Sequence, residues 1–287
     1  MLTAALWVRP PEAAPRAFAG AVAVWRGELV KLAARGWTRA AVTMCVIGPL
    51  LTVVGLAAQT SVPEDTLFGR WVHESGFALP LVILSFSGQW VLPALAAIVA
   101  GDIFAAEDQH GTWKTVLTRS CSRSQVFTGK ALAALSWSVL VVLVVASASI
   151  CAGLLLGHQP LVDLSGHPQS GGHALVLVIA SWATVLPPTL GFTALALALS
   201  VLTRHPVTGI GVPVVVGLAM QLVSLLNGPD LVRVVLLPTG FQAWHGLWVD
   251  PPFTGPLVQA VAVSVVWCVL GTGSAYLVFL RRDIAAS

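Results

Sequence analysis

Six charge-free runs, each long enough to cross a lipid bilayer, constrain this chain more than any other feature. A bilayer core of roughly 30 Å needs about 20 residues of α-helix. No strand-like alternation of apolar and polar residues appears in the runs, which favours helices over a β-barrel. The sequence therefore predicts an all-α integral membrane protein with six transmembrane helices. The runs cover residues 40–59, 77–101, 131–156, 174–203, 206–228 and 253–280.

Composition supports a membrane protein, and the placement of basic residues predicts which side of the membrane each segment faces. Charged residues make up 9% of the chain, whereas a typical soluble domain has about 25%. If both termini are cytoplasmic, the outer segments hold only Arg70 and Arg233 of the 15 lysines and arginines. Basic residues favour the cytoplasmic side, so we expect both termini there. The excess of arginine over lysine favours a bacterial source, and hence a multi-pass protein of the bacterial plasma (inner) membrane.

The region before the first span predicts a further helix. After an N-terminal tail (1–16), residues 17–36 place apolar side chains on one face and charged side chains on the other. This pattern is typical of an amphipathic helix in the cytoplasmic membrane interface, although a plain juxtamembrane anchor has the same pattern. The transmembrane domain would then comprise 37–287. The apolar face holds Phe18, Val22, Trp25, Leu29 and Leu32, and the other face holds Glu28, Lys31 and Arg35.

The stretch 231–249 is apolar but is interrupted by Pro238, Gly240 and Gly246. A seventh span here would place the basic C-terminus outside. We therefore predict a re-entrant or interfacial helical hairpin on the outer side, before the last span. Trp244 and Trp248 suit the level of the lipid headgroups.

The sequence offers little sign of catalysis. It contains no Walker A sequence, HExxH, GxSxG or GxGxxG after a strand, so we predict no enzyme activity, no catalytic residue and no cofactor in this chain. The outer-loop residues His158, Asp163, His167 and His173 match no standard metal-site spacing, so no metal site is predicted. The net charge of +3 is too small to indicate nucleic acid binding. The spans lack Asp, Glu, Lys and Arg, which disfavours ion-coupled carriers and intramembrane proteases.

Mildly polar side chains remain within the spans. Ser85 and Gln89 are spaced i, i+4 in the second span, and Gln221 and Ser224 are spaced i, i+3 in the fifth. They indicate either hydrogen bonds between helices or part of a weakly polar path for an amphipathic substrate. The fifth span also carries a stripe at i, i+4, i+8 and i+12, whose small residues would let another helix approach closely. The stripe consists of Gly209, Pro213, Gly217 and Gln221.

The segment 102–130, between the second and third spans, is the longest charged interval between apolar runs. Residues 102–110 can extend the second helix, and Gly111 can end it. Thr112 can cap a short helix reaching residue 117. Ser122 and Gln125 have the spacing of a capping box that begins the third helix. The segment therefore predicts helix, turn and helix.

The same segment resembles the cytoplasmic loop of ABC-2 type transporter permeases. The resemblance rests on Glu107, Gly111-Thr112, Val116-Leu117, Ser122-Arg123 and Gly129-Lys130, in that order. Ser120 stands where the family pattern has a proline. The predicted interface helix, six spans and outer hairpin match the family architecture as well. With a single set of six spans, the chain is similar to the permeases of bacterial drug and antibiotic exporters.

The resemblance implies the transmembrane permease subunit of an ATP-binding cassette exporter. It would move an amphipathic or hydrophobic compound, such as a drug, antibiotic or lipid-like molecule. Its partners would be two copies of a separate ATP-binding subunit, which holds ATP and Mg²⁺, a second permease copy or paralogue, and membrane lipid. Alternatives are a non-transporting membrane anchor or regulatory subunit, a secondary transporter, and a basic loop that only binds anionic lipid. The implied ATPase-coupling loop contains Glu107, Gly111, Thr112, Lys114, Arg119, Arg123 and Lys130.

Overall fold

Helices account for nearly all of the structure. The computed structural model describes residues 14–58, 68–113, 122–156, 160–225 and 233–282. Six helical segments are long and apolar enough to cross a membrane, which confirms the predicted all-α, six-helix membrane fold. The helices are α1 (Ala14–Ala34), α2 (Gly36–Ala58), α3 (Ala78–Phe86), α4 (Leu92–Gln109), α5 (Arg123–Leu156), α6 (Gly171–Thr184), α7 (Leu186–Thr203), α8 (Pro206–Leu225), α9 (Leu237–Gly240) and α10 (Gly255–Arg281).

The N-terminal helix α1 packs along the first half of α5. The two backbones come close at Gly129, where an added Cβ would lie 2.6 Å from a side-chain carbon of Val24. The Trp25 indole donates a hydrogen bond to Ser136 on α5 (3.0 Å). These contacts fix α1 to the third span. Its placement in the membrane interface stays a prediction.

The second span is not a uniform α-helix. α3 and α4 are joined by a π-helical turn at Ser87–Val91. Pro93 is the second residue of α4, and it has no amide hydrogen for the carbonyl four residues earlier, so the regular hydrogen-bond ladder is interrupted here. π-helical turns are often found at functional sites.

The fourth span is also broken. α6 ends at Thr184 and is followed by the turn residue Val185. α7 carries Pro187 and Pro188 in its first turn, where proline is tolerated because the first amides of a helix have no partner. α7 lies at the centre of the bundle, against α4, α5, α8 and α10. Its many small side chains allow this close packing on several sides.

The small-residue stripe of α8 faces neighbouring helices, as predicted. At Gly209 the backbone of α8 touches that of α4, and an added Cβ would lie 2.4 Å from the carbonyl oxygen of Gly101. At Gly217 it would lie 2.9 Å from the ring of Phe192 on α7. Only glycine permits such close approach.

The stretch before the last span forms α9 followed by a 3₁₀ turn, Ala243–Trp248. Trp244 and Trp248 are both 1% exposed, and both rings pack against Phe68. The Trp248 indole donates to Ser181 on α6 (2.9 Å). These tryptophans therefore contact protein and not lipid headgroups, because each is enclosed between this segment and the helix bundle. Residues 226–232, where the predicted hairpin begins, lie outside the described residues.

A short β-hairpin supports the same end of the bundle. It pairs β1 (Leu161–Val162) with β2 (Pro168–Gln169) in antiparallel fashion. Its turn contacts the 3₁₀ segment, since the Leu164 amide donates to the carbonyl of Trp248 (2.9 Å).

Candidate functional site

Eight charged side chains gather where α1, α4, α5 and the end of α10 meet, which is the end predicted to be cytoplasmic. We call this set the charged layer. Opposite charges lie within ion-pair distance throughout it, so the charges neutralise one another. The set consists of Glu28, Lys31, Arg35, Asp102, Glu107, Asp108, Lys130 and Arg282.

Lys130 is the centre of the layer and is 1% exposed. Its ammonium nitrogen lies 3.0 Å from Oε1 of Glu107 and 3.1 Å from Oε1 of Glu28. Its third hydrogen bond goes to the carbonyl of Ile103 (3.0 Å). An ammonium group has three donors, and all three are used. The lysine thus joins α5 to both α1 and α4 at one buried point.

Two further pairs tie α1 to its neighbours. Lys31 lies 2.8 Å from Glu28 and 3.2 Å from Glu107. Burial lowers the pKa of Lys31, but the hydrogen bond and charge of Glu28, together with Glu107, outweigh it and raise the pKa above its usual value. Arg35 pairs with Asp102 on α4. The charged face of α1 is therefore partly turned toward the protein, since Glu28 is buried and Lys31 is half exposed.

The end of α10 is held by a second group of contacts. Arg282 lies 3.0 Å from Oδ2 of Asp108, and the Trp113 indole donates to the other carboxylate oxygen (2.8 Å). Arg123 donates to the carbonyls of Leu280 (3.2 Å) and Arg282 (2.7 Å). A cation near the last carbonyls of a helix satisfies unpaired acceptors and opposes the helix dipole.

The predicted turn after α4 is present. Gly111 has φ +61°, a left-handed conformation that suits glycine at a helix end. The Thr112 hydroxyl donates to the Glu107 carboxylate, so this side chain stabilises the charged layer. Most of the predicted short helix, residues 114–117 with Lys114, lies outside the described residues, and so does Arg119.

The predicted start of the third helix is also present. The Ser122 amide donates to the side chain of Gln125 (2.7 Å), and the Gln125 amide bonds the Ser122 hydroxyl (3.3 Å). These are the two reciprocal bonds of a capping box. Both flanks of the 114–121 segment are thus firmly anchored.

Sequence reasoning identified Glu107, Arg123 and Lys130 but missed their partners. Glu28 and Arg282 were assigned to a solvated helix face and a basic tail. Two features of the sequence point to these contacts. Glu28, Lys31 and Arg35 share one face of the predicted helix, and Lys130 directly precedes a charge-free span whose helix contains no acidic residue. A buried lysine requires an acidic partner, but the sequence does not say from which helix it comes.

Of the four polar residues singled out in the second and fifth spans, only two contact each other. The Gln221 amide donates to Oε1 of Gln89 (3.0 Å), which links α8 to the second span. Ser85 and Ser224 donate to carbonyls within their own helices. Ser85 and Gln89 also line a cavity, whereas Ser224 does not. Their role in translocation stays a prediction.

The charged layer binds helices together, and its geometry does not resemble a reaction centre. Its acids and bases are mutually neutralised, and within the described ranges no three His, Cys, Asp or Glu side chains lie close enough to hold a metal ion. It joins the two helices that flank residues 114–121 to α1 and to the end of α10.

Comparison with known proteins agrees with this architecture. A family model described as ABC-2 family transporter protein matches residues 26–220 of the 287-residue chain. The match begins in α1 and includes the charged layer apart from Arg282. No curated protein matches the chain. Since the matched region covers more than half of its length, the chain belongs to the ABC-2 transporter family, and it is a multi-pass membrane permease of the ABC-2 type.

Proposed function

We propose that this permease is the transmembrane subunit of an ATP-driven exporter in a bacterial plasma membrane, with both termini cytoplasmic. Permeases of this family generally work with ATP-binding subunits. ATP and Mg²⁺ would be held by two such subunits, and a second permease copy or paralogue would complete the transporter. The cargo is an amphipathic or hydrophobic compound.

One observation carries the proposal, namely the charged layer on both sides of the 114–121 segment. Gln109 ends α4 and Arg123 begins α5, so a partner that pushes on the segment between them acts on both helices. Lys130 and Glu107 pass that motion to α1, while Asp108 and Arg123 pass it to α10. Packed elements move as units because their interiors resist compression.

The test uses the segment itself. The permease is co-expressed with a candidate ATP-binding subunit and reconstituted in liposomes, and ATP hydrolysis and ATP-dependent efflux of a fluorescent amphiphile are measured. Lys114→Glu and Arg119→Glu should weaken co-purification of the subunit and reduce both activities severalfold. Arg26→Glu makes the same charge change on an exposed part of α1 and should leave both activities near wild type.

A milder change at Glu107 separates docking from transmission. Glu107→Gln keeps the side-chain size but removes the charge that faces Lys130, so the subunit should still bind and hydrolyse ATP while efflux falls. Charge reversal is unsuitable because it would set two ammonium groups against each other in a buried place.

The alternatives give different results in the same experiment. A membrane anchor would bind the subunit without supporting efflux. A secondary transporter would support efflux that follows an ion gradient and ignores ATP. Efflux by Lys114→Glu and Arg119→Glu equal to that of Arg26→Glu would show that this segment is not the coupling element.

A further inference from the structure

A cavity of about 270 Å³ lies between the second span and the segment that precedes the last span. Its polar lining comes from Ser85, Gln89, Gln242 and His245, and Trp90 and Trp244 contribute aromatic surface. Gln89 and Trp90 belong to the π-helical turn. Ligand pockets are about 300–1,000 Å³, so this cavity suits one ring-sized group of a larger molecule.

The hydrogen-bonding groups of the cavity are incompletely used. His245 Nδ1 lies 2.7 Å from the carbonyl of Gln242. A carbonyl only accepts, so Nδ1 carries the proton and Nε2 remains an acceptor. Gln89 uses its oxygen to accept from Gln221, and within the described residues neither its amide nitrogen nor the side chain of Gln242 has a partner.

Trp244 gives the strongest indication of a ligand. Its indole nitrogen is buried and has no acceptor among the described residues. Buried polar groups in proteins are nearly always hydrogen-bonded, so an exception needs an explanation. Trp244 lines the cavity, but its indole nitrogen has almost no exposed surface, so an acceptor on a bound molecule reaches it only when the neighbouring side chains move.

The lining also specifies the charge of the ligand. The described residues around the cavity include no Asp, Glu, Lys or Arg. Burial lowers the pKa of His245, against the opposing effect of its bond to Gln242, so the imidazole is neutral at pH 7. A charged ligand would lose its hydration and find no opposite charge.

The aromatic groups favour a ring. The imidazole of His245 stacks on Trp244 with ring centroids 3.9 Å apart, and Trp90 is substantially exposed. Flat apolar faces beside amide and imidazole groups suit a ring with polar substituents on its edge.

We propose that this cavity binds an uncharged, ring-shaped headgroup bearing hydroxyl or carbonyl groups, about the size of one hexose, on the amphiphile that the permease exports. The assignment rests on the proposed export function for its biological meaning. The binding site itself does not depend on ATP.

The experiment measures binding to the purified permease in nanodiscs by titration calorimetry, with empty nanodiscs as the blank. The probes are p-nitrophenyl β-D-glucoside and p-nitrophenyl β-D-glucuronide, which differ by a hydroxymethyl and a carboxylate group. We expect saturable binding of one glucoside per chain and at least tenfold weaker binding of the glucuronide. Equal binding of both probes, or no saturable heat above the blank, would overturn the proposal.

Three variants test the location. Gln242→Leu and Trp244→Phe each remove one hydrogen-bonding group and should weaken glucoside binding about three- to tenfold. Gln259→Leu makes the same change on α10 outside the cavity and should bind as wild type. If Gln242→Leu and Trp244→Phe both bind like Gln259→Leu, the cavity is not the site.

The binding and efflux experiments can reject the headgroup assignment and the export function independently. Loss of ATP-dependent efflux with intact glucoside binding would reject the export function and leave the site in place. Efflux without saturable glucoside binding would reject the headgroup assignment alone.

Discussion

The charged layer and the cavity treat their buried polar groups in opposite ways. In the charged layer, Lys130 uses all three of its donors, and the acids around it are paired. At the cavity, the indole nitrogen of Trp244 is buried without a partner in the described residues. Fully satisfied networks rigidify a structure, whereas unsatisfied groups in a cavity leave bonds for a ligand to form. This contrast supports the proposed roles, in which the charged layer transmits force and the cavity binds a ligand.

One helix pair shows this difference along its own length. Near the charged layer, α4 and α8 touch backbone to backbone at Gly101 and Gly209. About three helical turns away, Gln89 and Gln221 bridge the same two spans through their side chains. Backbone contact leaves no room for adjustment, whereas two flexible amides allow it. The span pair is thus tight near the charged layer and adaptable beside the cavity.

Removing the charge of Lys130 should produce the largest effect. Lys130→Met leaves Glu28 and Glu107 with only the half-exposed Lys31 as a cation, and breaking a buried ion pair typically costs about 3–5 kcal/mol. We expect little folded protein and a lowered melting temperature. Both are measured on a fluorescent fusion by size-exclusion chromatography, the second after heating samples to a series of temperatures. The variant Glu28→Gln, Glu107→Gln, Lys130→Met removes all three charges and should recover much of the loss. A triple variant as unstable as the single one would mean that packing, and not charge, holds this end together.

This network also marks the limit of sequence reasoning. Six spans follow from charge-free runs, because the lipid core excludes charge. The turn at Gly111 and the capping box at Ser122 follow from local chemistry. Which acid meets Lys130 depends on how α1 lies against α5, and that contact arises from Gly129 and Val24, more than 100 residues apart in sequence. The cavity is harder still, because His245 and Gln89 have no local pattern that relates them.

Widening the tight part of the helix pair should have the next largest effect. In Gly101→Ala the new Cβ would lie 2.2 Å from the carbonyl oxygen of Gly209, so α4 and α8 must separate. Overpacking of this kind typically costs about 1–3 kcal/mol. The matched control is Gly211→Ala on α8, where an added Cβ meets nothing within 4 Å, and its melting temperature should stay at or above wild type. Equal destabilisation by both variants would contradict tight packing at this point.

Asp163 is the exception at the cavity end, since it is buried but fully bonded. Burial raises the pKa of this carboxyl, but bonds from the His167 amide, the Gln169 side chain and the Ser165 amide outweigh it, so the pKa lies below the usual 3.8. A lowered folded-state pKa adds stability that is present above the usual value and lost as the pH falls through the lowered one.

Acid should therefore loosen the β-hairpin and its contact with Trp248. Between pH 5 and pH 2 the melting temperature of Asp163→Asn should fall less than that of wild type, by roughly 2–4 °C, which corresponds to about 1 kcal/mol in a chain of this size. Glu74→Gln removes an exposed carboxylate away from the hairpin; it is the control and should follow wild type. Identical acid profiles for all three proteins would show that Asp163 adds no stability through its charge.

The smallest effect is expected where the two spans meet through side chains. Gln89→Leu and Gln221→Leu each leave one amide without its partner, and interhelical hydrogen bonds in membranes average about 0.6 kcal/mol. A double-mutant cycle with Gln89→Leu/Gln221→Leu measures their coupling free energy directly. The same cycle at Glu107 and Lys130 should give a coupling free energy several times larger, because each single substitution there leaves an oppositely charged partner buried. Near-equal coupling free energies in the two cycles would mean that both ends are held with the same stiffness, and the division into a transmitting end and an adaptable end would fail.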